Sequence, residues 1–287
     1  MPKMTGAQYL AESLKGYGVT HIFFVPTILS TMLAQIDQRG IDIARILTHG
    51  EKAAAYMADG YARASGRPGI CMSQIVGGVN LAAGLRDAWL ACTPLIAFSG
   101  GSEPGTRYRN AYQEVEDISA FDPVTKFNAY VDSVERFPDL LRQAFRAATS
   151  GTPGPVHLRF KGNLGQIEQR EADLELIVEE QFSSVPPYRP EPESEPIARA
   201  VKVLEAAKKP VIISGGGVRT SGAGAEIVAL AEKLQIPIAN SMNGKDTVPG
   251  NHPLALGAAG SYPRPCANQL VREADLVFFV GTQTGGM

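Results

Sequence analysis

Cysteine is scarce: Cys71, Cys92 and Cys266 are the whole supply, an odd number at unclustered spacings. Such a set indicates neither a disulfide framework nor a metal site. Cys71 lies in an apolar run and Cys92 at a helix end beside one, so both are expected to be reduced packing residues. An excess of either charge is lacking too. The 27 Lys and Arg stand against 29 Asp and Glu, for a net charge of −2. Nothing there draws the chain to nucleic acid or to an anionic membrane. No apolar run approaches the about 18 residues of a membrane span. Met1-Pro-Lys-Met-Thr-Gly-Ala-Gln8 has no signal-peptide core, and the cytoplasm is the expected compartment. Aromatic residues make up only 7% of the chain. What is present is 44% hydrophobic residues and 30 glycines among 287 residues. That mix suits a globular α/β protein with enough chain for two domains.

Short apolar runs alternate with helical patterns, the signature of βαβ units and parallel sheets. Helices are expected over 5–17, with Thr5 as cap, and over 51–65, 79–91 and 134–150. Strands are expected over 21–25, 45–49, 70–73, 95–99 and 156–160. The long loop from 100 to about 117 is rich in Gly, Arg and Tyr, which suggests a functional role. Val185-Pro-Pro-Tyr-Arg-Pro-Glu-Pro-Glu193 cannot continue a helix or central strand and marks a linker. A second α/β series follows: helix 195–207, strand 210–214, helix 222–234, strand 236–240, helix 265–273 and strand 276–280.

Thr48-His-Gly-Glu51-Lys-Ala-Ala-Ala-Tyr-Met-Ala-Asp-Gly-Tyr-Ala-Arg63 ends a strand, turns, and opens a helix on a glutamate. This resembles the acidic strand-to-helix motif of the acetolactate synthase-like thiamine-diphosphate enzymes. Further landmarks follow in the family's order. They are Gly77 and Gly78 before Asn80, Tyr112-Gln113-Glu114, Pro123-Val-Thr-Lys126 and Ala148-Thr-Ser-Gly-Thr-Pro-Gly-Pro155. Ser241-Met-Asn-Gly244, His252-Pro-Leu-Ala-Leu-Gly257 and Glu273-Ala-Asp-Leu276 extend the likeness over essentially the whole chain. The resemblance implies an α/β fold of two three-layer domains with parallel sheets. A thiamine-diphosphate-binding fold would occupy residues 1–165, a linker 166–193, and a Rossmann-like central domain, cut short, 194–287.

The resemblance also assigns roles. Glu51 would bond the ring nitrogen of the cofactor's aminopyrimidine and favour the imino tautomer, whose exocyclic nitrogen takes the thiazolium proton. From the chain alone, the same glutamate complements the dipole at a helix N-terminus. Gln113 would be an active-site amide, and Pro26, Gly77 and Asn80 would contact the cofactor. By themselves Pro26 is a strand terminator and Asn80 a helix cap. Lys126 is a further candidate, against a solvated lysine. Three departures fall near the expected site. Phe24-Val-Pro-Thr27 replaces Gly-x-Pro-Gly, Gln74-Ile-Val-Gly77 replaces Ser-Gly-Pro-Gly, and Gly50 precedes the glutamate where histidine is frequent, with His49 one place earlier. In the second domain Gly215, Gly216 and Gly217 with Arg219, then Ser241 and Met242, mark a ligand edge. By resemblance that edge takes FAD, or ADP, or serves packing with nothing bound, and all three stay open here.

No Gly-Asp-Gly occurs in the sequence. In the family that motif, with a following Asn, holds Mg2+ and the diphosphate, and the site is completed across subunits. The chain is therefore expected to be a truncated or divided part of a larger protein, a naturally short one being the alternative. It is expected to be inactive alone, without a metal site of its own. Its partners would be a C-terminal diphosphate-binding domain or subunit and further copies in a homodimer or homotetramer. The Trp89 helix and the 100–120 loop would carry exposed apolar surface near that interface. The substrate class is small molecules: a 2-oxo acid or diketone on which a transferase or lyase makes or breaks a carbon–carbon bond. A 2-oxo-acid decarboxylase or lyase of the same superfamily is one alternative, and a non-catalytic nucleotide-binding subunit the other.

Overall fold

The computed structural model describes residues 3–284; Met1, Pro2, Gly285, Gly286 and Met287 lie outside them. Contacts divide the chain into two units, Met1–Tyr188 and Arg189–Met287. The first begins with β1 (Lys3–Thr5), α1 (Gly6–Gly16), β2 (His21–Phe24), α2 (Ser30–Gln38), β3 (Ala44–Leu47), α3 (Glu51–Ser65) and β4 (Gly69–Ser73). It continues with α4 (Gly78–Leu90), β5 (Leu95–Gly101), β6 (Phe127–Val131), α5 (Phe137–Thr149), β7 (Pro155–Lys161) and β8 (Glu171–Asp173). Six strands make one parallel sheet in the order β3-β2-β4-β5-β7-β6.

β4, β5 and β7 are buried along almost their whole length. Helices cover both faces, which is why these strands read as continuous apolar runs. Alternate residues still serve different cores. Ile70, Met72, Ile96 and Phe98 face α1, α2 and α5, while Cys71, Leu95 and Ala97 face α3 and α4. The first core is bulky, and the Tyr17 and Phe145 rings stack there at 3.7 Å. The second is built on alanine: Ala54, Ala55, Ala58 and Ala62 meet Ala82, Leu85 and Ala88. A Cβ on Gly84 would stand 2.6 Å from that of Ala55, so α3 and α4 approach at a distance only glycine permits.

α1 carries the expected cap as a full capping box, Thr5 and Gln8 each accepting the other's backbone N–H. α2 has no such local signal. Its N-cap is Leu29, left-handed at φ 46° and without a capping side chain. Its first N–H groups are taken instead by Glu168, whose carboxylate accepts from Thr31 and Met32 at 2.9 Å each. β6 is also missed by the sequence pattern, a half-buried edge strand that includes Asn128 and Tyr130. The stretch expected as a linker does more than connect. β8 pairs antiparallel with β1, and Ile167, Leu174 and Phe182 are buried in the larger core. Widely spaced among charged neighbours, those three apolar residues form no visible pattern.

The second unit comprises α6 (Ser194–Ala206), β9 (Pro210–Ser214), α7 (Gly216–Ser221), α8 (Gly224–Leu234), β10 (Ile238–Asn240), β11 (Ala255–Ala258), α9 (Pro265–Glu273) and β12 (Leu276–Val280). Its sheet is parallel, in the order β11-β10-β9-β12. Ile212 and Ile238 pack with Val218 and Ile227 on one side, and Val211, Ile213 and Ala239 with Ala267 on the other. The helix expected over 222–234 is α8, and a further helix, α7, precedes it. Gly222, left-handed at φ 69°, ends α7, which starts inside the glycine run at Gly216. Among the described residues no helix is long and apolar enough to cross a membrane.

Burial raises the Glu168 carboxyl from its ordinary 4.5 to about 7, against the opposing pull of its two N–H donors. The folded chain therefore holds this proton longer than the unfolded chain. The stability it contributes is full below about pH 4.5 and is lost as pH climbs through about 7. Relative to Glu168→Gln, the wild type is expected to lose as much as about 3 kcal/mol over that interval, read from urea midpoints. A difference between the two proteins that stays flat over the interval overturns the assignment.

Candidate functional site

All six strands of the first sheet point one way, so the loops leaving their carboxyl ends gather along one edge, where open α/β sheets bind ligands. The chain passes from β2 to its neighbour β3, then crosses back over β2 to reach β4. Thr48 pins the turn after β3, its hydroxyl lying 3.2 Å from the Phe24 carbonyl and 3.0 Å from that of Gly50. Glu51 follows as the first residue of α3, half-buried. Its carboxylate accepts from Asn80 Nδ2 at 3.3 Å. It also rests on Gly77, where a Cβ would lie 2.5 Å from Oε1 and 2.6 Å from Cγ. Gly77 is thus the residue that leaves room for the carboxylate. Asn80 is no helix cap: α4 is capped at Gly77, and Asn80 points its amide at Glu51 from the third helical position.

Pro26 and Gln113 belong to a second group on the same edge. Pro26 is exposed after β2, and its carbonyl accepts from Gln74 Nε2 at 2.9 Å. Gln74 Oε1 accepts from Gln113 Nε2 at 3.1 Å, and Gln113 Oε1 from Asn163 Nδ2 at 3.4 Å. Asn163 Oδ1 accepts from Gln166 Nε2 at 2.8 Å, and Gln166 Oε1 from the Leu164 N–H at 3.0 Å. Gln74 stands out in the sequence only as a departure from a motif, and Asn163 and Gln166 do not stand out at all. The available signal was an amide residue just beyond each of two apolar strands. Gln74 precedes one 3-10 turn and Gly77 ends it, and the two are joined by a backbone hydrogen bond of 3.2 Å, so the two groups adjoin. Thr27, at the position of a family glycine, keeps a left-handed backbone at φ 71°. A β-branched residue is strained there.

The loop bearing Gln113 is left-handed at Tyr108, Asn110 and Gln113. The Glu114 carboxylate holds it by accepting the N–H groups of Tyr108 and Ala111. Beneath it Arg159, 2% exposed, pairs with Asp117 at 2.9 Å and donates to the Val115 carbonyl at 2.6 Å. Burial raises the Asp117 carboxyl, and Arg159 opposes that rise. His157, wholly buried, lies 2.8 Å from the Ser99 hydroxyl and 2.7 Å from Asn128 Oδ1, with its ring stacked on Phe121 at 3.5 Å. Burial first and Arg159 second hold it well below its ordinary 6.5, as a neutral ring. A cavity of about 880 Å³ opens beside the loop, lined by Tyr112, Gln113, Asn163 and a Lys161–Glu103 pair at 2.9 Å. Val79, Trp89 and Leu90 on α4 are exposed around a groove of about 420 Å³, and Tyr108 and Tyr112 are exposed on the loop. Lys126 is elsewhere: its Nζ donates to the carbonyls of Ala147 and Ser150 at 2.6 and 2.7 Å and caps α5.

In the second unit the glycine run is occupied by packing. A Cβ on Gly215 would lie 2.6 Å from the Thr282 Cβ, and one on Gly217 2.8 Å from the Gly281 Cα. Gly215 donates to Val280 and Gly217 to Gly281, each at 2.8 Å, so α7 starts hard against the end of β12. Gly216 is looser, 3.3 Å from Asn243 by the same measure. Arg219 sits half-buried near the end of α7. Ser241 Oγ accepts the Gly244 N–H at 3.2 Å and caps a short turn. Met242 is exposed and lines a cleft of about 320 Å³ with Asn240, Tyr262 and Arg264. Gly215, Gly216, Gly217 and Arg219 do not line it.

Two family descriptions match this chain. Residues 4–121 match the N-terminal TPP binding domain of thiamine pyrophosphate enzymes, and residues 197–287 their central domain. A probable acetolactate synthase large subunit of Methanocaldococcus jannaschii is 36% identical over 283 residues, covering 97% of this chain and 47% of the relative. An acetolactate synthase of Arthrospira platensis is 34% identical over 292 residues, covering 98% and 49%. The acetolactate synthase isozyme 1 large subunit of Escherichia coli is 31% identical over 286 residues, covering 98% and 49%. The chain spans about half the length of the curated relatives it matches.

The strain at Thr27 is directly testable. Thr27→Gly removes the left-handed penalty of about 1–2 kcal/mol and adds a glycine entropy cost of about 0.5–1 kcal/mol. The variant is expected to be more stable by about 0.5–1 kcal/mol in urea unfolding. A less stable variant would mean that the threonine side chain makes a contact worth more than the strain.

Proposed function

Because this chain carries the N-terminal and central domains of the thiamine pyrophosphate enzymes, we propose that it performs their cofactor-activating part. The reaction we assign is acetolactate synthase-like: carbon–carbon bond making or breaking on a 2-oxo acid or diketone, dependent on thiamine diphosphate. The observation that carries this reading is Glu51, set as the first residue of α3 against Gly77 and bonded by Asn80. The residues fit the cofactor. Gly77 leaves a cradle that a Cβ would fill, and Asn80 meets only one face of the carboxylate, so Glu51 keeps lone pairs for a ring nitrogen.

Thiamine diphosphate, when bound, supplies a carbanion that adds to a carbonyl carbon. Glu51 holds and shares a proton at the pyrimidine nitrogen. Asn80 orients that carboxylate, and Gly77 keeps its seat free. The exposed Pro26 turn forms the neighbouring wall, and Gln113 offers its amide beside the cavity. Mg2+ and the diphosphate fall in this reading to a C-terminal domain or subunit, since no Gly-Asp-Gly is present here. The exposed groove at Trp89 is assigned to a homodimer or homotetramer. FAD or ADP is assigned to the cleft at Met242, and the cytoplasm is the assigned compartment. A decarboxylase or lyase of the same superfamily is the second reading, favoured by Thr27 and Gln74, which alter the wall facing the substrate.

Glu51→Gln should slow exchange of the thiazolium proton about a hundredfold or more when the chain is supplied with a diphosphate-binding domain. Exchange is followed by proton NMR in deuterated buffer, and the unfolding midpoint should barely move. Exchange within a few-fold of wild type sinks the assignment of Glu51.

A further inference from the structure

The hydrogen bonds from Pro26 to Leu164 form one directed line. Gln74 gives its Nε2 to the Pro26 carbonyl, which can only accept. Its Oε1 is thereby turned to Gln113, which must answer with Nε2. Gln113 Oε1 then meets Asn163 Nδ2, and Asn163 Oδ1 meets Gln166 Nε2. Gln166 Oε1 ends on the Leu164 backbone N–H, which can only donate. Both termini are backbone groups with no choice of role, and both dictate the same sense. No amide in the line can turn over without setting two like groups against each other. The line also follows the sheet: its members leave β2, β4, β5 and β7 in turn, which are neighbours in that order. Gly162, left-handed at φ 93°, lies against the Gln166 side chain and has no room for a Cβ.

We propose that Gln74 and Asn163 are positioning residues that fix the side-chain amide of Gln113 in a single orientation beside the 880 Å³ cavity. Gln113 faces the cavity, as Asn163 and Gln166 do, and it is the one carried on the exposed loop beside Tyr112. One Nε2 hydrogen goes to Gln74, and the other meets the hydroxyl of Tyr112 at 3.4 Å, an exposed side chain that a ligand oxygen can replace. Held this way, Gln113 meets an oxygen acceptor as a donor. A 2-oxo acid presents carboxylate and carbonyl oxygens of that kind. This last step rests on the function proposed above, whereas the positioning does not.

The test is made on the 287-residue chain without cofactor, so that a failed cofactor assignment leaves it intact. The two Nε2 protons of Gln113 are observed by 15N-edited NMR, and their exchange with water is measured. Gln74→Met keeps length and bulk while removing both hydrogen bonds, and Gln166→Leu removes the far member, which does not touch Gln113. In each variant the Gln113 amide protons should exchange about fivefold faster, the effect of losing roughly one hydrogen bond, and their shifts should move toward those of free glutamine. Variants with native unfolding midpoints and unchanged Gln113 exchange overturn the proposal. A change on Gln74→Met alone also overturns it as a line, leaving only a local pair.

Discussion

A parallel sheet sends the loops that leave its strands' carboxyl ends off one edge, and the polar groups crowded there need partners within the protein. The arrangement of the first unit follows from that constraint. Glu51 is seated because Gly77 gives up its side chain, and Asn80 takes the carboxylate from the next helix. Four amide side chains join the ends of β2, β4, β5 and β7. Glu168 returns from beyond β7 to cap α2, fixing the far side of the turn that starts at Pro26. Arg159, buried at the end of β7, anchors the loop after β5 through Asp117 and the Val115 carbonyl. Each device satisfies groups that the fold itself brings together.

This explains which parts were readable in advance. α3 was legible to its first and last residue because Gly66 and Pro68 stop it and Glu51 opens it. The buried central strands were legible as apolar runs. α2 was not, since its cap is 137 residues away in the chain. Gln74 and Gln113 are 39 residues apart, and Gln113 and Asn163 are 50 apart, so no local pattern announces their bonding. Lys126 lay in a family landmark and still turned out to cap α5, because a motif can mark a fold element as well as a site. Glu51, Gly77 and Asn80 were named from motifs, and the folded chain brings them together.

Glycine gives the sharpest contrast between the two units. Gly77 makes way for a carboxylate, while Gly215 and Gly217 make way for the backbone at the end of β12. The residue type is the same and the runs look alike, yet one empties a seat for a side chain and the other closes a helix onto a strand. Only the neighbour decides, and a sequence does not display the neighbour.

The four side-chain amides on the carboxyl rim have a further property. Every one of them directs its N–H toward the β2 turn and its carbonyl toward Leu164. Dipoles aligned head to tail add, as peptide dipoles do along a helix. Here the sum runs across the strands, whereas the helix dipoles of a βαβ fold run along them. The rim is thereby electrically polar without carrying a net charge in that row. Its positive end lies at Pro26, where a negative or lone-pair-bearing group finds a field already in place.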